Sequence, residues 1–318
     1  MYLIKPFPSH PTRFVYNQEI RVDGDGGMET TMPTKEERKA QAKKHEGLMK
    51  GAFATETAAS IADAVIYEDG EGRELELPEP AFDATRTEVT TKFTVNALYD
   101  AKGKTVIVDP VSFTRPGGNY EEGSFGPEQV LCSESNLYQV LRGMKRDYHD
   151  ANRGFARGQL FTDRAMLLPD IVFSGTGEIH KAGIIAIPEP NRTRALENHR
   201  SERECDTCLA QRIESILRIA AANGYETLIM GAFACNRNNY DPQQVIGLIK
   251  AWIEAHPGAI GAIVFAVPRA SFEAFDAAFG QPEEEVAQAP TEADQDPDSE
   301  DEFDLDSIEL PEGVTLRR

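Results

Sequence analysis

Between Arg115 and Gln129 the chain reads RPGGNYEEGSFGPEQ, a stretch whose residue types suit ligand capture. Gly117, Gly118 and Gly123 let the main chain pass close to a bound molecule, because glycine lacks a Cβ. Pro127 suits the first turn of a helix carrying Leu131, Leu137, Tyr138 and Leu141, and a helix start presents unpaired N–H groups that favour anions. Glu121, Glu122 and Glu128 lie in or beside the loop, and Arg115, next to the glycines, could meet a phosphate. Immediately upstream, Thr105 to Asp109 is an apolar, strand-like run. A buried strand, a glycine-rich loop and a helix N-terminus in that order are a common way to build a ligand site.

Other reactive residue types carry less. The four cysteines, at 132, 205, 208 and 235, do not suggest a disulfide scaffold in 318 residues. Cys205-Asp-Thr-Cys208 has redox or metal-ligand spacing, but no second pair exists and the surroundings read as helix, so both are read as ordinary helix residues. Cys132 is read as core and Cys235 as a small buried residue rather than a nucleophile. His180 falls in a turn-like GTGEIHKA segment, and Asp163 is expected to cap or bond a backbone turn. No metal constellation is apparent and no cofactor is required.

The elements that would position the loop follow from pattern. Thr34 and Glu37 form a capping box opening one or two helices within Lys35 to Tyr67, interrupted near Gly47 and Gly51. Strands are expected at Thr87 to Thr91, Thr105 to Asp109, Asp170 to Ser174, Gly183 to Ile187, Glu226 to Met230 and Ala259 to Val267. Leu160 to Leu168 is a further apolar stretch. Ala195 to Ala222 reads as the longest helix, Pro242 to Ala255 as a helix opened by Asp241-Pro242, and Ser271 to Phe279 as a short one. Apolar strands alternating with helices argue an α/β sandwich with a mostly parallel or mixed sheet. If the strands run parallel, the loops after Val108, Ile187, Met230 and Val267 gather at one end, bringing GGNYEEG, PEPN and ACNRNN around one cleft.

Composition bounds the rest. Residues 1–33 read as an irregular arm, with an extended piece at Phe14 to Tyr16, and 34–280 as the folded domain. Residues 281–318 hold fourteen of the 53 carboxylates and two arginines, and read as a disordered acidic tail available to a protein partner. With a net charge of −20 the chain has no basic face for long nucleic acid, and no apolar run reaches membrane length. A soluble, cytoplasmic protein is expected.

The run VDPVSFTRPGGNYEEGSFGPEQVLCSESNLY resembles the signature of microbial-type poly(ADP-ribose) glycohydrolases, a macrodomain-related family. LFTDRAMLLPD, IPEPN and ETLIMGAFACNRNNYDPQQV continue the likeness in order, so that it spans roughly Lys43 to Phe279. The resemblance implies a three-layer α/β/α macrodomain-like sandwich with a mixed sheet and a helical N-terminal extension. It implies ADP-ribose, or an ADP-ribosylated macromolecule, as ligand. Position by position, Gly117 and Gly118 match the first two signature glycines, and Asn119 stands at the third. Glu128 matches the first glutamate of the family's Gln-Glu-Glu, and Gln129 occupies the place of the catalytic second. Gly231 and Ala232 match the start of the phosphate loop, Ala234, Cys235 and Asn236 replace its Gly-Cys-Gly, and Asn239 matches the asparagine before Asp-Pro. Asp109 falls near the family's strand-exit asparagine. Tyr120 and Phe233 stand where an aromatic would cover the ribose or base, or else pack the loop, and Arg237 could donate to a diphosphate.

Gln129 is the consequential departure. Cleaving an O-glycosidic bond needs a proton on the leaving oxygen as an oxocarbenium-like centre develops, and an amide has none to give. Glu128 or an acidic neighbour would have to supply it, although a place in a first helical turn favours the ionised carboxylate. Two readings follow from the resemblance: a divergent glycohydrolase acting on ADP-ribosyl groups, or an inactive module that binds ADP-ribose or a related nucleotide. A third, an interaction protein working through its tail, leaves the polar cleft loops unexplained.

Overall fold

The computed structural model describes residues 33–175 and 177–280, together with the backbone of two short paired strands, β1 (Glu19–Val22) and β2 (Met28–Thr31), inside the segment expected to be irregular. The extended piece at Phe14 to Tyr16 and the acidic tail lie outside the described residues.

From Thr34 the elements run α1 (Lys35–Ala52), α2 (Ala54–Ala62), β3 (Val65–Tyr67), α3 (Glu71–Glu74), β4 (Arg86–Thr90), α4 (Thr94–Asp100) and β5 (Thr105–Asp109). Then come α5 (Pro127–Glu134), α6 (Leu137–Gly143), β6 (Ala165–Phe173), β7 (His180–Ala186), α7 (Arg192–Glu197) and α8 (Glu202–Ala222). The chain closes with β8 (Thr227–Met230), α9 (Pro242–Ala255), β9 (Ala262–Ala266) and α10 (Arg269–Phe279).

Seven strands form one sheet in the order β3-β6-β7-β5-β8-β9-β4. β7, β5, β8, β9 and β4 pair in parallel, whereas β6 runs antiparallel to both its neighbours. The strand-end loops expected to converge therefore do. β5 is buried at every position because both faces of the sheet are covered. Val106 and Val108 pack with residues of α8, α9 and α10, and Ile107 packs on the opposite face with residues of α1, α4, α5 and α6. The result is the expected three-layer sandwich, and among the described residues no helix is long and apolar enough to cross a membrane.

Several boundaries differ from the sequence reading. α1 runs through Gly47 and Gly51 and ends at Phe53, while Val65 and Ile66 belong to an edge strand instead of a helix. Tertiary pairing with Met166 and Leu167 overrides the helical pattern there. The apolar stretch to Leu168 and the strand at Asp170 are one strand, β6, with a register shift between Leu168 and Ile171 that accommodates Pro169. His180 opens β7, with its ring edge-on to Tyr99 at 4.6 Å. The long helix divides in two because Ser201 and Glu204 form a capping box that starts α8 afresh.

Candidate active site at the strand ends

β5 and β7 deliver their loops side by side. The Asp109 carbonyl accepts from Val111 N–H (2.7 Å) and from Ile187 N–H (3.0 Å), joining the two strand exits. The Asp109 side chain is fully buried, and neither carboxyl oxygen has a hydrogen-bond partner among the described residues. Burial, then the charge of Glu189, pushes its pKa up to about 8.

The glycine loop forms a tight 3-10 turn over Pro116–Glu122, with Gly117, Gly118 and Asn119 all in the left-handed region, at φ 68°, 52° and 68°. Asparagine tolerates that region, which explains how Asn119 is accommodated in the turn. Its Oδ1 accepts from the Arg115 guanidinium, so Arg115 braces the loop. Gly118 is required for space as well as for its backbone. A Cβ there would lie 2.6 Å from both Gln129 Nε2 and Glu128 Oε2.

Pro127 starts α5 and presents Glu128 and Gln129 to this loop, both buried. Ser112 N–H donates to Glu128 Oε2 at 3.0 Å, while Oε1 is buried without a partner among the described residues. Burial first, and the Asp109 charge second, hold the Glu128 pKa well above the ordinary glutamate value, despite N–H groups of Ser112 and Gly117 that pull the other way. A first-turn position favours the ionised form, but desolvation overrides it here. Gln129 braces the backbone instead. Its Nε2 donates to Gly117 O (3.0 Å) and Gly118 O (3.3 Å), pinning the turn.

A third carboxylate joins the pair. Glu189, between Pro188 and Pro190 after β7, accepts from Ala234 N–H and Asn238 Nδ2, both at 2.6 Å. Burial raises its pKa to about 7 against those two donors and Arg237. Sequence reasoning places the PEPN loop at the cleft without singling out this residue. The available signal is a lone acid between two prolines after the apolar run Gly183 to Ile187.

The loop from Gly231 to Asn239 supplies the opposite wall. Ala234 and Asn239 take positive φ (60° and 62°), and residues 236–238 form a 3-10 turn. Arg237 reaches across to Phe125 O at 3.4 Å, bringing this loop to the glycine loop in agreement with the sequence reading. Gly231 and Ala232 are partly buried beside it. The side chain of Asn236 lies outside the described residues.

Two expected ligand aromatics are core residues. Tyr120 is 1% exposed, packs on Tyr138 with ring centroids 5.0 Å apart, and has its hydroxyl 3.2 Å from His45 Nδ1. Phe233 is buried in the core beneath α8 and α9. Their rings pack the loops from behind rather than lining the cleft. Cys235 is buried, and desolvation raises its pKa to about 12, so it is no thiolate nucleophile. Among the described residues no group of His, Cys, Asp and Glu is arranged to hold a metal ion.

Residues 33–173 match the family described as microbial-type PARG, catalytic domain. The fold matches a poly(ADP-ribose) glycohydrolase from Thermomonospora curvata at 24% identity and TM-score 0.67, covering 76% of this chain and 99% of that one. It also matches that enzyme with the inhibitor ADP-HPD (24%, TM-score 0.65, 76% and 98%). A further match is the poly(ADP-ribose) glycohydrolase from Deinococcus radiodurans in complex with ADP-ribose (22%, TM-score 0.63, 71% and 98%). No curated protein matches the chain.

Proposed function

We propose that the chain, whose residues 33–173 match the family described as microbial-type PARG, catalytic domain, hydrolyses the O-glycosidic bond of an ADP-ribosyl group, with Glu128 as the proton donor. One observation carries this reading: Glu128 is a buried carboxyl whose pKa burial raises well above the ordinary glutamate value, with one oxygen held by Ser112 and the other unpartnered among the described residues, directly against Gly118. That is what a general acid needs, and Gln129 cannot supply it.

In this reading Glu128 passes its proton to the glycosidic oxygen as the bond to the anomeric carbon breaks. The electron pair leaves with the oxygen, and an oxocarbenium-like ribosyl centre develops. Water adds to that carbon and returns a proton to the Glu128 carboxylate, giving free ADP-ribose and an alcohol. Glu189, held by Ala234 N–H and Asn238 Nδ2 and acting on Asp109 through its charge, would be the carboxylate that steadies the cation. Gly117, Gly118 and Asn119 would cradle the ribose. The segment Gly231 to Asn239, with Arg237 and the braced Arg115, would hold the diphosphate through N–H groups and guanidinium donors.

The test is release of free ADP-ribose from an O-linked ADP-ribosylated substrate by the purified chain. Wild-type protein should release it and Glu128→Gln should release it about 10²- to 10⁴-fold more slowly, while both bind ADP-ribose. Binding by the wild type without any release would overturn the reading.

A further inference from the structure

Two N–H groups bear on the Glu128 carboxyl, those of Ser112 and Gly117. Each belongs to a loop residue whose own carbonyl is tied down by a side chain. Gln129 Nε2 holds the Gly117 carbonyl at 3.0 Å, and the Ser112 carbonyl lies 3.1 Å from His149 Nδ1. The first tie comes from the helix that carries the acid. The second comes from a π-helical turn over Lys145–Asp150, to which the proposed reaction gives no part. Such turns are rare and are frequently found at functional sites.

His149 is fully buried. A carbonyl only accepts, so Nδ1 carries the hydrogen and donates to Ser112. Burial lowers the ring's pKa to about 4, against the main chain of Ser112 and Phe113 and the charge of Asp150, so the imidazole is neutral and Nε2 is an acceptor. That Nε2 is buried with no hydrogen-bond partner among the described residues. A stranded acceptor costs stability, and a ring of carbon would fill the same space without it. Packing therefore does not account for a histidine at this place, whereas the Nδ1 donor does.

The ring is held firmly enough to do this. Tyr148 meets it edge-on with centroids 5.2 Å apart, and the Tyr148 hydroxyl donates to Arg164 O at 2.7 Å. Arg164 donates back to Tyr148 O (3.3 Å) and to Asn152 Oδ1 (3.1 Å), and Asn152 Nδ2 donates to Phe113 O (3.0 Å). Two consecutive carbonyls, of Ser112 and Phe113, are thus gripped together. Their grip fixes the main chain that aims Ser112 N–H at Glu128 Oε2, 3.0 Å away.

We infer that His149 is a positioning residue for the acid, acting through the Ser112 main chain to fix the hydrogen bond that orients Glu128. Of the titratable and charged groups around the pair, Asp109 and Cys132 act on Glu128, and Asp150 and Lys145 on His149. The effect on rate rests on the proposed reaction, and the effect on the Ser112 main chain does not. If the Ser112 N–H is displaced, ionised Glu128 loses a stabilising donor, and the carboxyl keeps its proton to higher pH.

The test uses the full-length chain and two substitutions. His149→Phe keeps a ring and removes the donor, while His149→Asn sets an amide N–H near the place of Nδ1. His149→Phe should lower kcat for ADP-ribose release about tenfold, the scale of one hydrogen bond to a charged group, with KM unchanged. It should also move the high-pH limb of the rate upward and leave the urea midpoint in place. His149→Asn should recover most of the rate and return the limb. A readout independent of turnover is the Ser112 amide resonance, followed by NMR across pH. It should report the titration of Glu128 in the wild type and in His149→Asn, and lose that dependence in His149→Phe. A phenylalanine variant with wild-type kcat or an unchanged Ser112 titration overturns the inference. So does an asparagine variant no better than phenylalanine, which would reduce His149 to packing. Should the wild type release no ADP-ribose while the Ser112 titration still depends on His149, the proposed reaction falls and the positioning of Glu128 stands.

Discussion

Asp109 and Asp163 are the same residue type, equally hidden from solvent, and electrostatically opposite. Asp163, 1% exposed, accepts from Gly70 N–H (2.7 Å), Ser215 Oγ (3.0 Å) and the Arg73 guanidinium. Burial pushes its pKa up, but Asp69, Arg212, the Gly70 amide and Arg73 together hold it below the ordinary value. Asp109, at the end of β5, has none of these donors, and burial leaves its carboxyl protonated near neutrality. Burial by itself therefore does not mark a functional carboxylate. Donors that are missing where a fold could have supplied them do.

This contrast can be broken at both ends. The largest expected effect is on rate: Glu128→Gln should lower ADP-ribose release by about 10²- to 10⁴-fold, the usual contribution of a general acid, without loss of folding by circular dichroism. In the wild type, release should fall as pH rises through the elevated Glu128 pKa, because the donor form is lost, and the variant should show no such limb.

Next in size, Asp163→Ala should destabilise the chain by about 3 kcal/mol in urea, since it strands Arg73 and Ser215 around a buried gap. Asp109→Asn should act the other way. The folded pKa of about 8 lies above an unfolded value of about 3.9, so the folded state holds a proton that the unfolded chain releases. Wild-type stability should then decline with rising pH across that interval and level off above it. The asparagine variant should escape the decline, gaining a few kcal/mol over wild type at pH 8 and little at pH 4. A variant no more stable than wild type at pH 8 would show that Asp109 is solvated or paired in solution. Gln129→Ala is the smallest change, about 1 kcal/mol for its two carbonyl contacts, with activity reduced only as far as the glycine turn loosens.

How much of the molecule is legible in its sequence depends on range. Caps and punctuation are local, so Thr34 with Glu37, Asp241-Pro242 and the β5–glycine loop–α5 unit can be read directly. Val65 and Ile66 cannot, because their strand exists only through pairing with β6, some hundred residues away. The site divides in the same way. The glycines stand out by composition and Glu128 through the family resemblance, but the state of Glu128 depends on Asp109, and that of Asp109 on the charge of Glu189, brought near only when β5 and β7 lie adjacent. Tyr120 has equal claims in sequence as a ligand cover or as loop packing, and the deciding neighbours, Tyr138 and His45, come from α6 and α1.

The two carbonyls that Gln129 ties down also constrain what can stand at position 129. A glutamate in that position would turn an acceptor toward at least one of them, and an ionised glutamate toward both. Placing an acid at 129 by a single substitution would therefore loosen the turn it sits on before it added any chemistry. The amide thus acts as a latch on the turn, and an acid at 129 requires the backbone at Gly117 and Gly118 to move first.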